Sequence, residues 1–229
     1  EFIAMRLAEK AGLNVAPVSL TKSSQKDVLL IERFDRKYIN NQWQRKAMVS
    51  SLTLFALDEM MARYASYEEF AEIIRHRFTD ATATLKELFC RIVFNILCGN
   101  TDDHARNHAA FWDGKMLSLT PAYDICPQSR AGNEASQAML ITGENRMSRI
   151  STCLDAAAQF LLSQAEAITI IETQLVSIKE NWESVCDDAA LTKIDRAFMW
   201  QRQFLNPYAF EKLENKAAYL KDIVGNNHS

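Results

Sequence analysis

Between Leu85 and Cys98 the chain carries the feature that most restricts its fold. Leu85, Leu88, Phe89, Ile92, Val93, Ile96 and Leu97 recur at steps of three and four, and Gly99 follows directly. That spacing predicts a helix with one broad apolar stripe, ended by a glycine in the left-handed cap position. Seven large apolar side chains contribute about 10–20 kcal/mol of transfer free energy when buried, an upper figure because an unfolded chain is already partly compact. Such a helix has to sit at the centre of a core. It also delivers the next residues, Asn100 to Asn107, as a loop held at its root by a rigid element.

That loop reads Asn100-Thr101-Asp102-Asp103-His104-Ala105-Arg106-Asn107, and Tyr123-Asp124 comes soon after it. Phosphoryl transfer needs a carboxylate to orient a hydroxyl, an amide oxygen for a metal and a second carboxylate for the metal. A protein kinase loop places its base Asp five residues before a metal-binding Asn and brings another Asp from the end of a hairpin. Asp102 and Asn107 have that spacing. Ala110-Phe111-Trp112 and Met116-Leu117-Ser118-Leu119 flank Asp113-Gly114, a two-residue hairpin signal that would deliver Asp124. Magnesium keeps waters and needs few protein ligands, so Asn107 and Asp124 with phosphate oxygens would suffice. A rival reading uses His104 and His108 as a His-x-x-x-His zinc pair, completed by Asp102, Asp103 or Asp124 in a metal-dependent hydrolase.

The remainder is mostly helical. Gly and Pro number only six and four in 229 residues, which favours helix. Residues 1–11 read as a helix stopped by Gly12. Residues 15–20 and 28–34 read as two strands joined by the polar run Thr21 to Asp27. Ser66 with Glu69 has the spacing of a capping box and opens a helix to Arg77. Residues 128–148 read as a long loop. Ile168, Ile171, Leu175, Ile178 and Trp182 mark one later helix, and Leu191, Ile194, Phe198 and Leu205 another before Pro207. From Arg45 onward the pattern is mainly helical. The fold class is therefore α+β, mostly α.

Net charge of −3 and a pI near 5.9 give no reason to expect a nucleic-acid-binding surface, though they leave a local basic patch open. Five widely spaced cysteines without a CxxC predict free thiols in a reducing cytoplasm. No signal peptide is visible and no apolar run approaches the length of a membrane span, which predicts a soluble protein. The chain opens inside a helix without an initiator Met or an N-cap, which predicts a piece of something longer.

Three runs taken in order, Leu30-Ile31-Glu32-Arg33-Phe34-Asp35-Arg36, then Asn100 to Asn107, then Leu119-Thr120-Pro121-Ala122-Tyr123-Asp124-Ile125, resemble the HipA-like serine/threonine kinases of bacterial toxin–antitoxin systems. The resemblance spans roughly residues 1–205. It implies a protein-kinase-like fold in which residues 1–36 are a remnant of the small lobe and 37–229 a helical C-terminal lobe with one hairpin. It implies Asp102 as catalytic base, Asn107 and Asp124 as magnesium ligands, and His104 and Tyr123 near the nucleotide. Glu32 and Phe34 resemble the hinge whose backbone holds adenine, with Asp35 close to ribose. Glu1 is similar to the acidic residue of the αC helix, and Asp124-Ile125-Cys126 stands where general kinases have Asp-Phe-Gly. The implied cofactors are ATP and Mg²⁺. The implied partners are a protein substrate, such as an aminoacyl-tRNA synthetase or another translation protein, and a DNA-binding antitoxin. The family's phosphate-covering loop and ATP-binding Lys lie upstream of the αC-like helix and are not in this sequence, so the chain alone is expected to transfer phosphate poorly. A kinase-like binding module without turnover is the second reading.

Overall fold

A computed structural model describes residues 1–129, 132, 134–214 and 217–225. Among these the chain forms seven strands and eight α-helices. Helix α1 (Phe2–Lys10) leads into the hairpin β1 (Val18–Ser23) and β2 (Lys26–Ile31). A second hairpin follows, β3 (Arg36–Ile39) and β4 (Gln42–Arg45). Strand β5 (Ala47–Ser50) and the short α2 (Ser51–Leu54) come next, then α3 (Tyr67–Arg77) and α4 (Ala81–Cys98). Strands β6 (Ala109–Trp112) and β7 (Leu117–Leu119) join β5 in a three-stranded antiparallel sheet of order β5-β6-β7. Helices α5 (Ile150–Ala156), α6 (Gln164–Asp188), α7 (Lys193–Met199) and α8 (Leu220–Gly225) complete the chain.

Helix α4 is the axis of this arrangement. All seven stripe residues are buried, and Asp80 caps the first turn by accepting from the Ala83 amide at 3.0 Å. The stripe packs against α3, α5 and α6, while α1 lies on α6, and all contribute to one continuous core. Ser66 caps α3 by accepting from the Glu69 amide at 3.1 Å. At α6 a reciprocal capping box is complete, with Ser163 and Glu166 each satisfying the other's backbone amide. All five cysteines are free, and burial pushes the Cys98 thiol up to about 12. No helix among the described residues is long and apolar enough to cross a membrane.

Gly99 ends α4 with φ +75°, and a Cβ there would stand 2.6 Å from the backbone oxygen of Gln203. Backbone crowding adds to the left-handed penalty, so Gly99→Ala is expected to cost about 2 kcal/mol or more. In a chain of this size that lowers Tm by roughly 4–8 °C. An unchanged melting curve would contradict this.

Several sequence expectations need correction. Strand β1 runs through the polar segment assigned to a connection, and the turn is only Ser24-Gln25, both left-handed. The β6–β7 loop has four residues rather than two, because Asp113 Oδ1 accepts from the amides of Lys115 and Met116 and draws them into the turn. Residues 36–50 hold three strands where none was expected. β3 and β4 are polar with nearly every residue exposed, so they carry no alternation to read. Helix α7 stops at Met199, and Ile194 and Phe198 are exposed rather than in the core. Trp200 and Phe204, in the following loop, pack on Trp182 instead, at 5.0 and 4.9 Å between ring centroids. The 128–148 segment is irregular as expected, with Met139 and Ile141 buried; residues 130, 131 and 133 within it lie outside the described residues.

Candidate active site

The last turns of α4 do more than fill the core. Arg91 and Asn95 are buried polar residues within the apolar helix. The Asn100 amide donates to the Asn95 carbonyl at 2.8 Å, and the two side-chain amides pair at 3.0 Å. Arg91 donates to the carbonyls of Thr120 and Asn14 and pairs with Glu87, so it fixes the exit of β7 and the residues after α1 to the same helix. Burial pulls its pKa down while Glu87 opposes that effect.

From this root the loop divides its two aspartates. Asp103 is buried, accepting from the Tyr67 hydroxyl, from Asn95 Nδ2 at 2.7 Å and from His108 Nε2 at 3.0 Å. Burial alone would raise its pKa, but His108, Tyr67 and Arg91 outweigh it and hold the carboxyl below its ordinary value. The His108 ring is enclosed by Tyr67 and Phe70. Asp102, by contrast, is exposed. A tight turn links it to Asn107: the Asn107 amide donates to the His104 carbonyl at 2.8 Å, and its side-chain nitrogen donates to the Asp102 carbonyl at 3.3 Å. With Nδ2 turned back to the loop, Asn107 Oδ1 remains as the atom that could meet a cation. The loop is strapped on its outer side by α2, where Ser51 donates its amide to the His108 carbonyl and its hydroxyl to the Ala105 carbonyl.

Asp124 reaches the site through a second set of ties. Residues Asn14 and Ala16 exchange backbone hydrogen bonds with Ala122 at 2.7 and 2.8 Å. Tyr123 then donates its hydroxyl to the Arg106 carbonyl at 2.6 Å, joining this segment to the loop. Burial, with the neighbouring Asp124 carboxylate, pushes the Tyr123 phenol up to about 12, so it stays a neutral donor. Asp124 itself is exposed with φ +59°, a conformation that Asp adopts more readily than most residues and that recurs at functional positions. The Glu1 carboxyl is raised first by burial and then by the charge of Asp124. Two carboxylates that repel each other form a pair whose charge a divalent cation would relieve.

The hinge residues divide. Phe34 packs its ring on Tyr123 at 5.5 Å and on Phe111 of β6 at 6.1 Å, so it belongs mechanically to the site. Glu32 is exposed, and its amide is committed to the Pro17 carbonyl at 2.9 Å, which leaves only its carbonyl oxygen to meet a base. Both Asp35 oxygens are taken by Arg33, at 2.9 and 2.7 Å, and that pairing holds the Asp35 pKa down. His104 lines a cavity of about 290 Å³ with Arg106, Glu59, Arg63 and Leu52, next to the loop. The zinc reading gains no support from this geometry: His108 is engaged by Asp103 inside the core. No cluster of three or more His, Cys, Asp or Glu among the described residues is arranged to hold a metal.

Tyr67, Asn95 and Arg91 had no role in the sequence reading, and Asp103 had one only as a completing ligand of the rival zinc site. The available signal was two polar residues, Arg91 and Asn95, inside an apolar stripe just before a polar loop.

A helical lobe with this loop, and a following Asp held over it by a hairpin, defines a protein-kinase-like α+β fold. Residues 1–182 match the family described as HipA-like C-terminal domain, and the chain belongs to that family. It is similar to the serine/threonine-protein kinase toxin HipA of Shewanella oneidensis, with 28% identity over 141 residues, 55% of this chain and 33% of the relative. The match thus spans about a third of that relative's length. Among solved structures, the chain resembles HipA in the Shewanella oneidensis MR-1 complex of HipA, HipB and operator DNA. The TM-score is 0.75 at 21% identity, covering 91% of this chain and 52% of that one. The proinflammatory kinase CtkA of Helicobacter pylori gives a TM-score of 0.56 at 15% identity, covering 87% and 78%.

Proposed function

We propose that this chain supplies the catalytic loop and metal-binding groups of an ATP-dependent kinase that phosphorylates a Ser or Thr hydroxyl on a protein. The observation that carries this is the Asp102–Asn107 turn with Asp124 tied beside it through Tyr123 and Arg106. In the reaction the substrate oxygen attacks the γ-phosphorus, the bond to the ADP oxygen breaks, and Asp102 orients the hydroxyl and takes its proton. Asn107 Oδ1 and the Asp124 carboxylate would hold Mg²⁺, which when bound neutralises charge on the phosphate oxygens. The Glu32 carbonyl and the Phe34 backbone would meet adenine. Asp35 would reach ribose hydroxyls through lone pairs that Arg33 leaves free. His104 would help shape the floor near the phosphates. The cellular role, by family resemblance, is that of a cytoplasmic toxin kinase acting on a translation protein such as an aminoacyl-tRNA synthetase and restrained by a DNA-binding antitoxin. The complex of the Shewanella oneidensis HipA with HipB and operator DNA supports a partner of that kind.

The metal assignment has a direct test in the full-length gene product. Asp124→Ala is expected to weaken Mg·ATP binding by about 10–10²-fold, the loss of one charge-assisted contact, while leaving metal-free ATP nearly unchanged. Calorimetry with and without Mg²⁺ measures both. Equal losses in the two titrations would remove Asp124 from the metal, and stoichiometric zinc in the purified protein would favour the hydrolase instead.

A further inference from the structure

The β3–β4 hairpin begins directly after Asp35, next to the residues assigned to the nucleotide, and has an unusual surface of its own. Its register pairs Arg36 with Arg45 and Tyr38 with Trp43. Directly paired residues share a face, and residues two apart along a strand share it too, about 6.6–6.8 Å from each other. One face of the ribbon therefore alternates an arginine pair with an aromatic pair. Tyr38 is 57% exposed and Trp43 67%, with their rings 5.2 Å apart and tilted. Lys37, on the opposite face, and Arg45 are both exposed. From Arg33 to Lys46 the chain has five cations and a single carboxylate, Asp35, which Arg33 pairs closely at 2.7 Å and Arg36 only distantly at 3.9 Å. This stands against a net charge of −3 for the whole chain. The turn residues Asn40 and Asn41 both have positive φ, the type I′ geometry that matches strand twist, and Tyr38 donates to Asn41 Oδ1 at 2.9 Å. The ribbon is thus preformed. At its base a cavity of about 510 Å³ is lined by Glu32, Arg33, Arg36 and Trp43.

We propose that this face binds single-stranded nucleic acid, with Trp43 and Tyr38 stacking on unpaired bases and Arg36 and Arg45 meeting the flanking phosphates. An exposed aromatic pair set between cations is the combination that tracks a single strand: the charges follow the backbone, and the rings accept any base because every base has a π-face. An acidic peptide would satisfy the arginines and leave Trp43 and Tyr38 without a function. Duplex nucleic acid keeps its bases stacked on each other and offers the rings nothing. The phosphate-and-base chemistry is common to RNA and DNA, so both strands are tested.

The test uses the full-length gene product and fluorescein-labelled oligonucleotides of about 15 nucleotides, oligo-dT and oligo-rU, read by anisotropy. Binding is expected to fall with salt at a log–log slope of about −1.4, the value for the two phosphate contacts made by Arg36 and Arg45. Trp43→Ala is expected to weaken binding by about 10-fold or more, the loss of one stacked base, while Trp43→Phe retains most of it. Arg45→Glu should weaken binding and flatten the salt slope by about 0.7 for the lost cation. Circular dichroism melts of all three variants should match the parent, since the hairpin lies outside the core. Three results would overturn the proposal: no binding of either oligomer at low salt, equal binding of a duplex of the same length, or polyglutamate binding as tight as the oligonucleotides with no loss on Trp43→Ala.

Discussion

Replacing Asp103 with Ala is expected to destabilise the protein by about 3–5 kcal/mol, the range for removing one partner of a buried charged network. The Tyr67 hydroxyl, the Asn95 amide and the His108 ring nitrogen would all lose their acceptor inside the core. Arg91 would lose a favourable charge as well. In a chain of this length such a loss lowers Tm by roughly 6–20 °C. Asp103→Asn keeps the shape but supplies one acceptor and two unwanted donors, so it should fall between the two. Urea titrations of the three proteins give the comparison. A Tyr67→Phe variant offers a check on the network, since it deletes one donor and creates no cavity. If Asp103→Ala melts with the parent, the network is ornamental and the loop is held by other means.

The same carboxylate gives the stability a pH dependence. Its pKa is held below the ordinary value in the folded chain, so on acidification the unfolded chain takes up this proton first. The stabilisation is present in full above the unfolded value of about 4 and is lost as pH falls through the lower folded value. Asp103→Ala should therefore flatten the acid side of a stability–pH curve, and leave its neutral side parallel to the parent's.

Legibility in the sequence followed burial. The α4 stripe was readable because all seven side chains obey one period and all are buried, and the Gly99 stop was readable because only a left-handed cap needs that residue there. Ser66 was readable as a cap for a similar local reason. What failed was structure specified at a distance or by exposed residues. β5 is a strand because β6 lies beside it, a fact that Ala47 to Ser50 do not carry. β3 and β4 have no buried face, and their one local sign, Asn40-Asn41, is weaker than an Asn-Gly pair. Ile194 and Phe198 have helical spacing but no partner element, so their period predicted a core contact that α7 does not make. In the site, the Asp102 to Asn107 spacing was visible because it is local. The inward turn of Asp103 was not, because Tyr67 and Asn95 meet it only after α3 and α4 pack.

Asp102→Asn should separate chemistry from folding in the opposite sense to its neighbour. Asp102 is exposed, and its link to Asn107 runs through its backbone carbonyl rather than its carboxylate, so the turn survives the substitution. Stability should change by no more than about 0.5 kcal/mol. Phosphoryl transfer by the full-length gene product should fall by about 10²–10⁴-fold, the usual contribution of a positioned base. Mg·ATP affinity should hold, because the cation is assigned to Asn107 and Asp124. Radiolabelled transfer, nucleotide calorimetry and a melting curve on one preparation measure the three quantities together. Transfer at the parent rate with an intact fold would remove Asp102 from the reaction. If the unsubstituted protein binds Mg·ATP yet transfers nothing to itself or to any acceptor, the kinase-like loop serves recognition alone. A loss of transfer accompanied by a large drop in Tm would mean that the two adjacent aspartates share the structural work that the geometry gives to Asp103.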